Sequence, residues 1–385
     1  MTKRYDWLIV GAGFTGAVAA ERLATQLDQK VLVVDRRPHL AGNAFDTRDD
    51  SGNLVHLYGP HIFHTQSAKV FHHLSRFTRW RPYFHHVQGH VDGRFVPVPF
   101  NLESLRQLFP ASLAQRIEDA LVASFGFGTK VPITKLRETQ DENLRTLADF
   151  VYNKLFLNYT LKQWGCTPEA LDPSVTARVP VLVGRDCRYF DDRYQAMPAE
   201  GYTALFARML DHPNIDVELN VDFAQIQDKP PAERIVYTGP IDEYFGHCEG
   251  ALPYRSLRFE FETHPGASVQ PVGTMNYPNE FDFTRITDFS HLTGERRATT
   301  TTVCEFPQDY VPGVNDPYYP VPSPQTKELM VPYRRLAQEL KGRVWFAGRL
   351  ADYVYYNMDQ ACARGLSLFE KELAPATLAL EEASV

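Results

Sequence analysis

Apolar positions along the chain follow two periods, and the switches between them predict the elements. Leu8-Ile9-Val10 is a short unbroken apolar run, Ala17, Ala20 and Leu23 recur at helical spacing, and Val31 to Val34 is a second run ending on Asp35. That order predicts a strand, a helix that crosses back beside it and a parallel strand. The segment from Arg37 to Ala44 carries Pro38 and Gly42 and reads as a loop, so this unit ends near Arg36. From Leu102 to about Leu171 the spacing turns helical, as in Leu102, Leu105 and Leu108 and again in Leu144, Leu147, Phe150, Val151 and Leu155. A mostly helical insert is predicted there. Tyr202 to Leu210 reads as a further helix, followed by strands at Ile215 to Leu219 and Arg234 to Tyr237 that close on Gly239-Pro240 and return to the first unit. Leu257 to Thr263 alternates apolar and polar side chains and Thr299 to Val303 is β-branched, which predicts a half-exposed antiparallel sheet. Asp316 to Pro324 holds too many prolines for anything but a loop. Arg343 to Phe346 is a last apolar strand before Gly348, a helix should run from about Met358 to Leu373, and the tail from Pro375 is expected to fray.

Glycines give the first unit its chemistry. Gly11 permits a tight turn out of the strand, Gly13 lets a pyrophosphate approach the backbone, and Gly16 lets the helix pack closely on the sheet. The helix N-terminus then offers amide groups and a positive dipole end to phosphate. Asp35 stands where a carboxylate accepts hydrogen bonds from ribose hydroxyls. Dinucleotide binding follows. The loop ending in Gly42-Asn43, placed directly after the acidic strand, resembles FAD-binding oxidoreductase-like proteins; nicotinamide dehydrogenases usually continue with a helix and more parallel strands. In FAD folds a late strand-glycine-helix lies against the cofactor, so the domain should be discontinuous. The expected fold class is mixed α/β. A Rossmann-like FAD-binding domain takes residues 1–75, 203–245 and 335–375, a helical domain takes 102–175, and an antiparallel sheet domain for substrate takes 76–101, 176–202 and 246–334.

Composition narrows the class further. At 385 residues and 44% hydrophobic, the chain can bury a large core spread over two or three domains. A net charge of -7 argues against nucleic acid as a partner, since that affinity rests on clustered Lys and Arg. The 5 cysteines are scattered, odd in number and without a CxxC pair, so neither a disulfide framework nor a zinc site is suggested. Reduced thiols in the cytoplasm are the simpler expectation. The start runs into a strand too short for a signal sequence, and no apolar run is long enough to span a membrane.

Outside the glycine turn, two stretches and two arginines could carry chemistry. Gly59-Pro-His61-Ile62-Phe-His64-Thr65 puts two histidines and an aromatic on a turn, which suits either a polar turn with one buried ring or a functional loop; a metal would need further ligands that are not evident. Tyr159-Thr-Leu-Lys-Gln-Trp164-Gly165 ends the helical insert, where aromatics could be core or could form a stacking platform for a planar base. The chain holds 19 tyrosines, more than a core requires, and hydroxyls around a diphosphate or sugar would give them partners. Arg178 and Arg285 each sit among apolar or β-branched neighbours, which suggests a required anion, with a structural ion pair as the competing explanation.

These stretches converge. Gly11 to Val18, Gly42-Asn43-Ala44, Tyr58 to Thr65, Tyr159 to Trp164, Tyr237 to Pro240, Met275 to Tyr277, Thr284 to Thr287, Tyr318 to Pro320 and Phe346 to Leu350 together resemble the bacterial UDP-galactopyranose mutase family, leaving only the C-terminal tail unmatched. The resemblance implies an isomerase that interconverts UDP-galactopyranose and UDP-galactofuranose for cell-surface glycans. It implies FAD that is active when reduced, its N5 attacking the anomeric carbon as UDP leaves, with a flavin-sugar iminium before the ring recloses and no net redox change. Carried over residue by residue, Arg178 and Arg285 look like the catalytic pair on the diphosphate, with Arg178 on a loop that closes over substrate. Phe156 and Trp164 resemble the uridine side, while Tyr159, Thr160, Tyr189, Tyr319 and Tyr355 resemble residues that reach the substrate, with Asn276 and His85 beside them. Gly11, Gly13, Thr15, Gly16, Asp35, Arg36, Asn43, His61, Ile62 and Arg349 look like the FAD residues, and Asn357, Met358, Asp359 and Gln360 like the backbone at the flavin end. A homodimer through the helical insert is implied as well.

Two positions depart from the family. His85 stands where several members carry asparagine, and Asn357 where some carry aspartate, so sugar contacts or pH dependence could differ. Two other functions compete on the same nucleotide domain. A flavin amine or alcohol oxidase would consume electrons and want an apolar pocket, and a non-catalytic nucleotide sensor would have no use for arginines aimed at a leaving group.

Overall fold

Runs of apolar residues with no polar alternation need cover on both faces, and the computed structural model, described here for residues 5–172 and 180–383, supplies it. Five parallel strands lie in the order Ile215–Leu219, Val31–Asp35, Trp7–Val10, Arg234–Tyr237, Val344–Phe346. Trp7 sits opposite both Val31 and Arg234 in the register, so the chain start is the centre of the sheet. Helices Phe14–Leu27 and Met358–Leu368 cover one face, and Phe223, Tyr237 and Ile235 join Leu8, Val10, Leu32 and Val34 on the other. Gly16 makes the close approach possible: a Cβ there would lie 2.0 Å from the Gly11 carbonyl oxygen. The sheet is therefore assembled from the first, middle and last parts of the chain.

A second sheet has seven strands, in the order Tyr319–Pro320, Tyr254–Pro265, Thr299–Asp309, Arg285–Asp288, Thr274–Asn276, Val87–Val91, Arg94–Val98. It is antiparallel except where Thr274–Asn276 runs parallel to Val87–Val91. Strand Tyr254–Pro265 is buried in its first four residues and mostly exposed beyond. A three-stranded sheet of Phe63–Thr65, Tyr194–Pro198 and Trp80–Pro82 ties the two units together.

The helical unit packs Leu102, Leu105, Ile117, Leu121, Leu144, Leu147 and Val151 into its own core. Its last helix is interrupted by a π-type turn over Tyr152–Leu157 before Asn158–Trp164. Three features differ from the sequence expectation. Residues 180–183, expected with the sheet domain, instead pair with Lys130–Pro132 and bury Val181 and Val183 in the helical core. The C-terminal tail does not fray: Ala374–Ala383 is helical, and a π turn over Phe369–Leu373 precedes Pro375, whose ring cannot follow an ordinary turn. Thr377 docks that helix by bonding the Leu373 carbonyl at 2.9 Å and accepting from Arg234 at 3.4 Å. A helix over Pro324–Glu339, not anticipated because of its prolines, starts at a Ser323–Thr326 capping box with Pro324 at the first turn and tolerates Pro332 inside.

Gly16→Ala should lower the thermal midpoint by several degrees, since the new methyl group meets backbone that cannot move; overpacking of this kind costs about 1–3 kcal/mol. A calorimetric scan of the purified variant checks it, and an unchanged midpoint would mean the helix does not approach the sheet this closely.

Candidate active site

The glycine turn opens onto a cleft at the carboxyl ends of the parallel strands, where ligands of such sheets bind. Gly11 adopts φ 106°, a conformation L side chains rarely take, and a Cβ there would lie 2.0 Å from Thr238 Oγ1. Asp35 accepts the Ala12 amide at 2.8 Å and the Arg37 amide at 2.9 Å, so from the end of the neighbouring strand it braces the glycine turn. Gly13 begins the helix without a side-chain cap, which leaves the first amides of Phe14–Leu27 for an anion. A short 3-10 turn over Gly42–Ala44 faces it, and Arg37 fixes Asn43 by donating to its Oδ1 at 2.8 Å while stacking 4.2 Å from the Tyr58 ring. One end of the cleft is lined by Val221, Phe223, Tyr237 and Tyr244, the other by His61, Arg349 and Met358. An apolar, aromatic end, a phosphate cradle beside an acidic strand end, and a second polar end fit the adenine, diphosphate and flavin portions of FAD.

Beyond the far end of the cleft lies a second constellation, organised by strand register. Asn276, Arg285, Glu305 and Phe259 are successive partners across four strands of the large sheet, so they form one row. Arg285 donates from Nε to Glu305 at 2.5 Å and from Nη2 at 2.9 Å. Nη1 has no hydrogen-bond partner among the described residues. Burial opposes the Arg285 charge, but Glu305 and the tyrosines around it outweigh that and hold its pKa well above the ordinary value. The Asn276 Oδ1 beside it is buried without a hydrogen-bond partner among the described residues.

Aromatic residues enclose this arginine. Trp164 lies 6.0 Å from Tyr319 and 5.7 Å from Tyr355 between ring centroids, and the two tyrosines are 5.1 Å apart. Arg349 stands 5.9 Å from the Tyr319 ring and 5.4 Å from that of Tyr355, and donates to the backbone carbonyls of Tyr318 and Tyr356. It therefore clamps the loops that carry both hydroxyls and also lines the cleft. Burial raises the pKa of Tyr159 and of Tyr319, with Arg285 pulling the other way in both, so both phenols remain protonated donors.

Three histidines between the two regions are kept neutral. Burial lowers His56, His61 and His85 to about 3. His61 sits close enough to both Arg349 and Arg285 for their charges to depress it further. Its Nδ1 must donate to the Gly59 carbonyl at 2.8 Å, which leaves Nε2 as an acceptor. His85 contacts the Tyr83 hydroxyl at 2.9 Å through Nδ1, and its carbonyl accepts the Tyr189 amide at 2.8 Å.

Most of the residues singled out in the sequence are brought together by this fold. Gly11, Gly13, Thr15, Asp35, Arg36, Asn43, His61, Arg349 and Met358 line the cleft. Gly16 serves the helix packing. Ile62 packs on the main core, Asp359 accepts the Thr65 hydroxyl at 2.9 Å, and the Gln360 side chain caps the Asn357 amide at 2.9 Å, so these support the cleft from beside it. The Thr15 hydroxyl is turned to the Ala361 carbonyl at 2.9 Å. Tyr159, Trp164, Tyr319 and Tyr355 gather around Arg285, and Tyr189 and His85 adjoin them. Thr160 is buried on the same helix as Trp164. Phe156 is buried in the helical core, its ring 5.8 Å from that of Tyr152. Arg178 lies outside the described residues. Glu305, Arg37 and the Phe223–Tyr244 stack were missed, because strand register and long-range packing place them and no local sequence signal does.

A Rossmann sheet with an uncapped glycine turn, joined to an antiparallel platform, defines a dinucleotide-binding protein of the flavoenzyme type. Residues 9–77 match a family model described as an NAD(P)-binding Rossmann-like domain, and residues 154–355 one described as UDP-galactopyranose mutase. A protein of Klebsiella pneumoniae described as a probable UDP-galactopyranose mutase is 34% identical, with 95% of this chain and 94% of that protein covered. A dTDP-fucopyranose mutase of Escherichia coli is 33% identical, covering 91% and 94%. The chain belongs to the UDP-galactopyranose mutase family, and with it to the isomerases rather than the oxidases. Among solved structures, a reduced UDP-galactopyranose mutase superposes with a TM-score of 0.73 over 97% of this chain and 95% of its own, at 16% identity, a likeness of fold. No helix among the described residues is long and apolar enough to cross a membrane.

The neutral histidines make stability depend on pH. His56 and His85 are 1% and 4% exposed, and both have folded pKa values pushed to about 3. Below the unfolded value of about 6.5 the unfolded chain binds protons that the native chain refuses, so stability falls as pH drops from there toward 3. Each histidine should contribute a slope of about 1.4 kcal/mol per pH unit in that window. Urea unfolding at two pH values within that window reads the slope, and His85→Gln should flatten it; an unaltered slope would mean that His85 is protonated in the native state.

Proposed function

We infer that the chain catalyses the reversible ring contraction of UDP-galactopyranose to UDP-galactofuranose with FAD as its cofactor. The observation that carries this reading is Arg285, a guanidinium fixed by a buried carboxylate within a group of aromatic hydroxyls, beyond the His61 end of a dinucleotide cleft. A cation so fixed and so oriented suits a diphosphate whose charge grows as it leaves. When bound and reduced, the flavin supplies a nucleophile for the anomeric carbon.

The chain's own residues do the rest. The amides at the start of Phe14–Leu27, with Gly11 and Gly13, would hold the cofactor diphosphate, Asp35 and Arg36 the ribose, and Arg349 and His61 the flavin end. The unpartnered Nη1 edge of Arg285, together with Arg178 by resemblance, would grip the substrate diphosphate. Tyr159, Tyr189, Tyr319 and Tyr355 would donate hydroxyls to it, and as phenols they add no competing negative charge. Trp164 and Phe156 would stand on the uridine side, with Thr160 beside them. Asn276, whose Oδ1 lacks a partner among the described residues, and neutral His85 would meet sugar hydroxyls.

A homodimer through the helical unit belongs to this reading, supported by the exposed Val122 and Phe127 there. So does a cytoplasmic place, where the five unpaired thiols would stay reduced and the product would feed galactofuranose glycans.

The test is anaerobic conversion of UDP-galactofuranose to UDP-galactopyranose by dithionite-reduced, FAD-loaded protein, followed by chromatography. Absence of conversion rejects the reading. Turnover of dTDP-fucopyranose alone would move the chain to the specificity of its Escherichia coli relative. Arg285→Ala should lower turnover about 100-fold or more while flavin absorbance survives; near-normal turnover would remove Arg285 from the mechanism.

A further inference from the structure

The side chains that would hold substrate come from two separate supports. Tyr159 and Trp164 ride on helix Asn158–Trp164, while Asn276 and Arg285 ride on the paired strands Thr274–Asn276 and Arg285–Asp288. The loop joining those strands runs from Tyr277 to Thr284 and is closed by the Tyr277 amide on the Thr284 carbonyl at 2.8 Å. A diphosphate held from both supports requires them at one fixed separation.

Lys162 spans the two. Its ammonium donates to the Tyr277 carbonyl at 2.9 Å and to the Phe283 carbonyl at 3.4 Å, one at each end of the loop. No carboxylate among the described residues lies at salt-bridge distance from it, so its bonds read the path of the backbone and not a charge partner. Burial lowers its pKa despite Glu280 and Asp282 nearby. A second tie runs parallel: Asn158 donates to the Asn279 side chain at 3.0 Å, and Asn279 donates back to the Lys154 carbonyl at 2.9 Å. Arg255 secures the other end of the helix, donating to the Gln163 carbonyl at 3.1 Å and the Lys162 carbonyl at 3.2 Å. The π turn over Tyr152–Leu157 adds a residue to the preceding turn and so sets the rotation at which Tyr159 and Lys162 emerge.

We propose that Lys162 is a positioning residue: by holding the Tyr277 and Phe283 carbonyls it fixes Arg285 and Asn276 relative to Tyr159 and Trp164. It touches neither substrate nor cofactor, and it acts through the loop. The inference rests on the mutase reading, because it assumes that both supports grip one nucleotide sugar.

The experiment compares anaerobic, reduced, FAD-loaded wild type with Lys162→Met, Lys162→Arg and Asn279→Ala, using UDP-galactofuranose. Lys162→Met should lower kcat about tenfold or more, since small misplacements of a binding group cost that much. KM should change less than kcat, flavin content per chain should stay the same, and Lys162→Arg should recover part of the loss. In an Arg285→Ala background the same Lys162→Met change should cost several-fold less than in wild type, because one of the two groups it positions is gone. An equal loss in both backgrounds, or wild-type kcat in Lys162→Met, overturns the inference. Should Lys162→Met not fold, Asn279→Ala carries the test with the same non-additivity. Wild type inactive on every nucleotide sugar offered overturns the functional reading and this inference with it, whereas active wild type beside an unimpaired Lys162→Met overturns this inference alone.

Discussion

The ion pair between Arg285 and the buried Glu305 carboxylate constrains the substrate side of this molecule. Arg285 and Glu305 face each other across neighbouring antiparallel strands; the Glu305 side chain is 1% exposed and could not keep its charge there alone, whereas that of Arg285 is 30% exposed. Removing a guanidinium from water is costly, and two parallel hydrogen bonds to a carboxylate offset that cost while fixing the plane of the fork. What remains is a cation with one edge committed and another directed away from its partner. The surrounding architecture can be understood as the means of keeping that edge in place: Phe259 completes the row on one side, Asn276 on the other, and the tyrosines fill the space above.

The nucleotide unit solves a different problem with backbone in place of side-chain charge. Its glycine turn exposes amides, and Asp35 and the Gly42–Ala44 turn hold that turn open. The two regions meet through residues that belong to both. Arg349 lines the cleft and clamps the loops of Tyr319 and Tyr355, and the strand Phe63–Thr65 carries His64 to Asp192 at 2.7 Å and Thr65 to Asp359. His61, neutral and close to both arginines, lies at the junction. A cofactor in the cleft and a diphosphate at Arg285 would thus be registered against each other by short, buried links.

How much of this was readable from the chain follows from the range of each interaction. The first βαβ unit was legible because its strand, glycines, helix and acidic end are local and each has its own steric reason. Arg285 was legible as a charge misplaced on a β-branched strand, and the ion pair weighed against an anion site is present, with Glu305 as its partner. Glu305 was not legible, since a glutamate in an alternating strand looks like an outward residue until the sheet is assembled. The aromatic end of the cleft, with Phe223 and Tyr244, is contributed by residues far from the glycine turn and was likewise hidden. The strand at 180–182 was misassigned because its partner, Lys130–Pro132, carries almost no strand signal of its own. The tail helix was missed because Pro375 ordinarily ends a helix, and only the preceding π turn lets it continue.

The geometry of the Arg285 fork is best tested by keeping its charge and removing its shape. Arg285→Lys retains a cation but cannot bond Glu305 through two parallel donors and still offer a further edge. Calorimetric titration of UDP into wild type and Arg285→Lys, both loaded with FAD, should show affinity weakened about tenfold or more in the variant, consistent with loss of a charge-assisted hydrogen bond. Affinity within about twofold of wild type would mean that a point charge suffices and that the Glu305-fixed fork is not what holds the diphosphate.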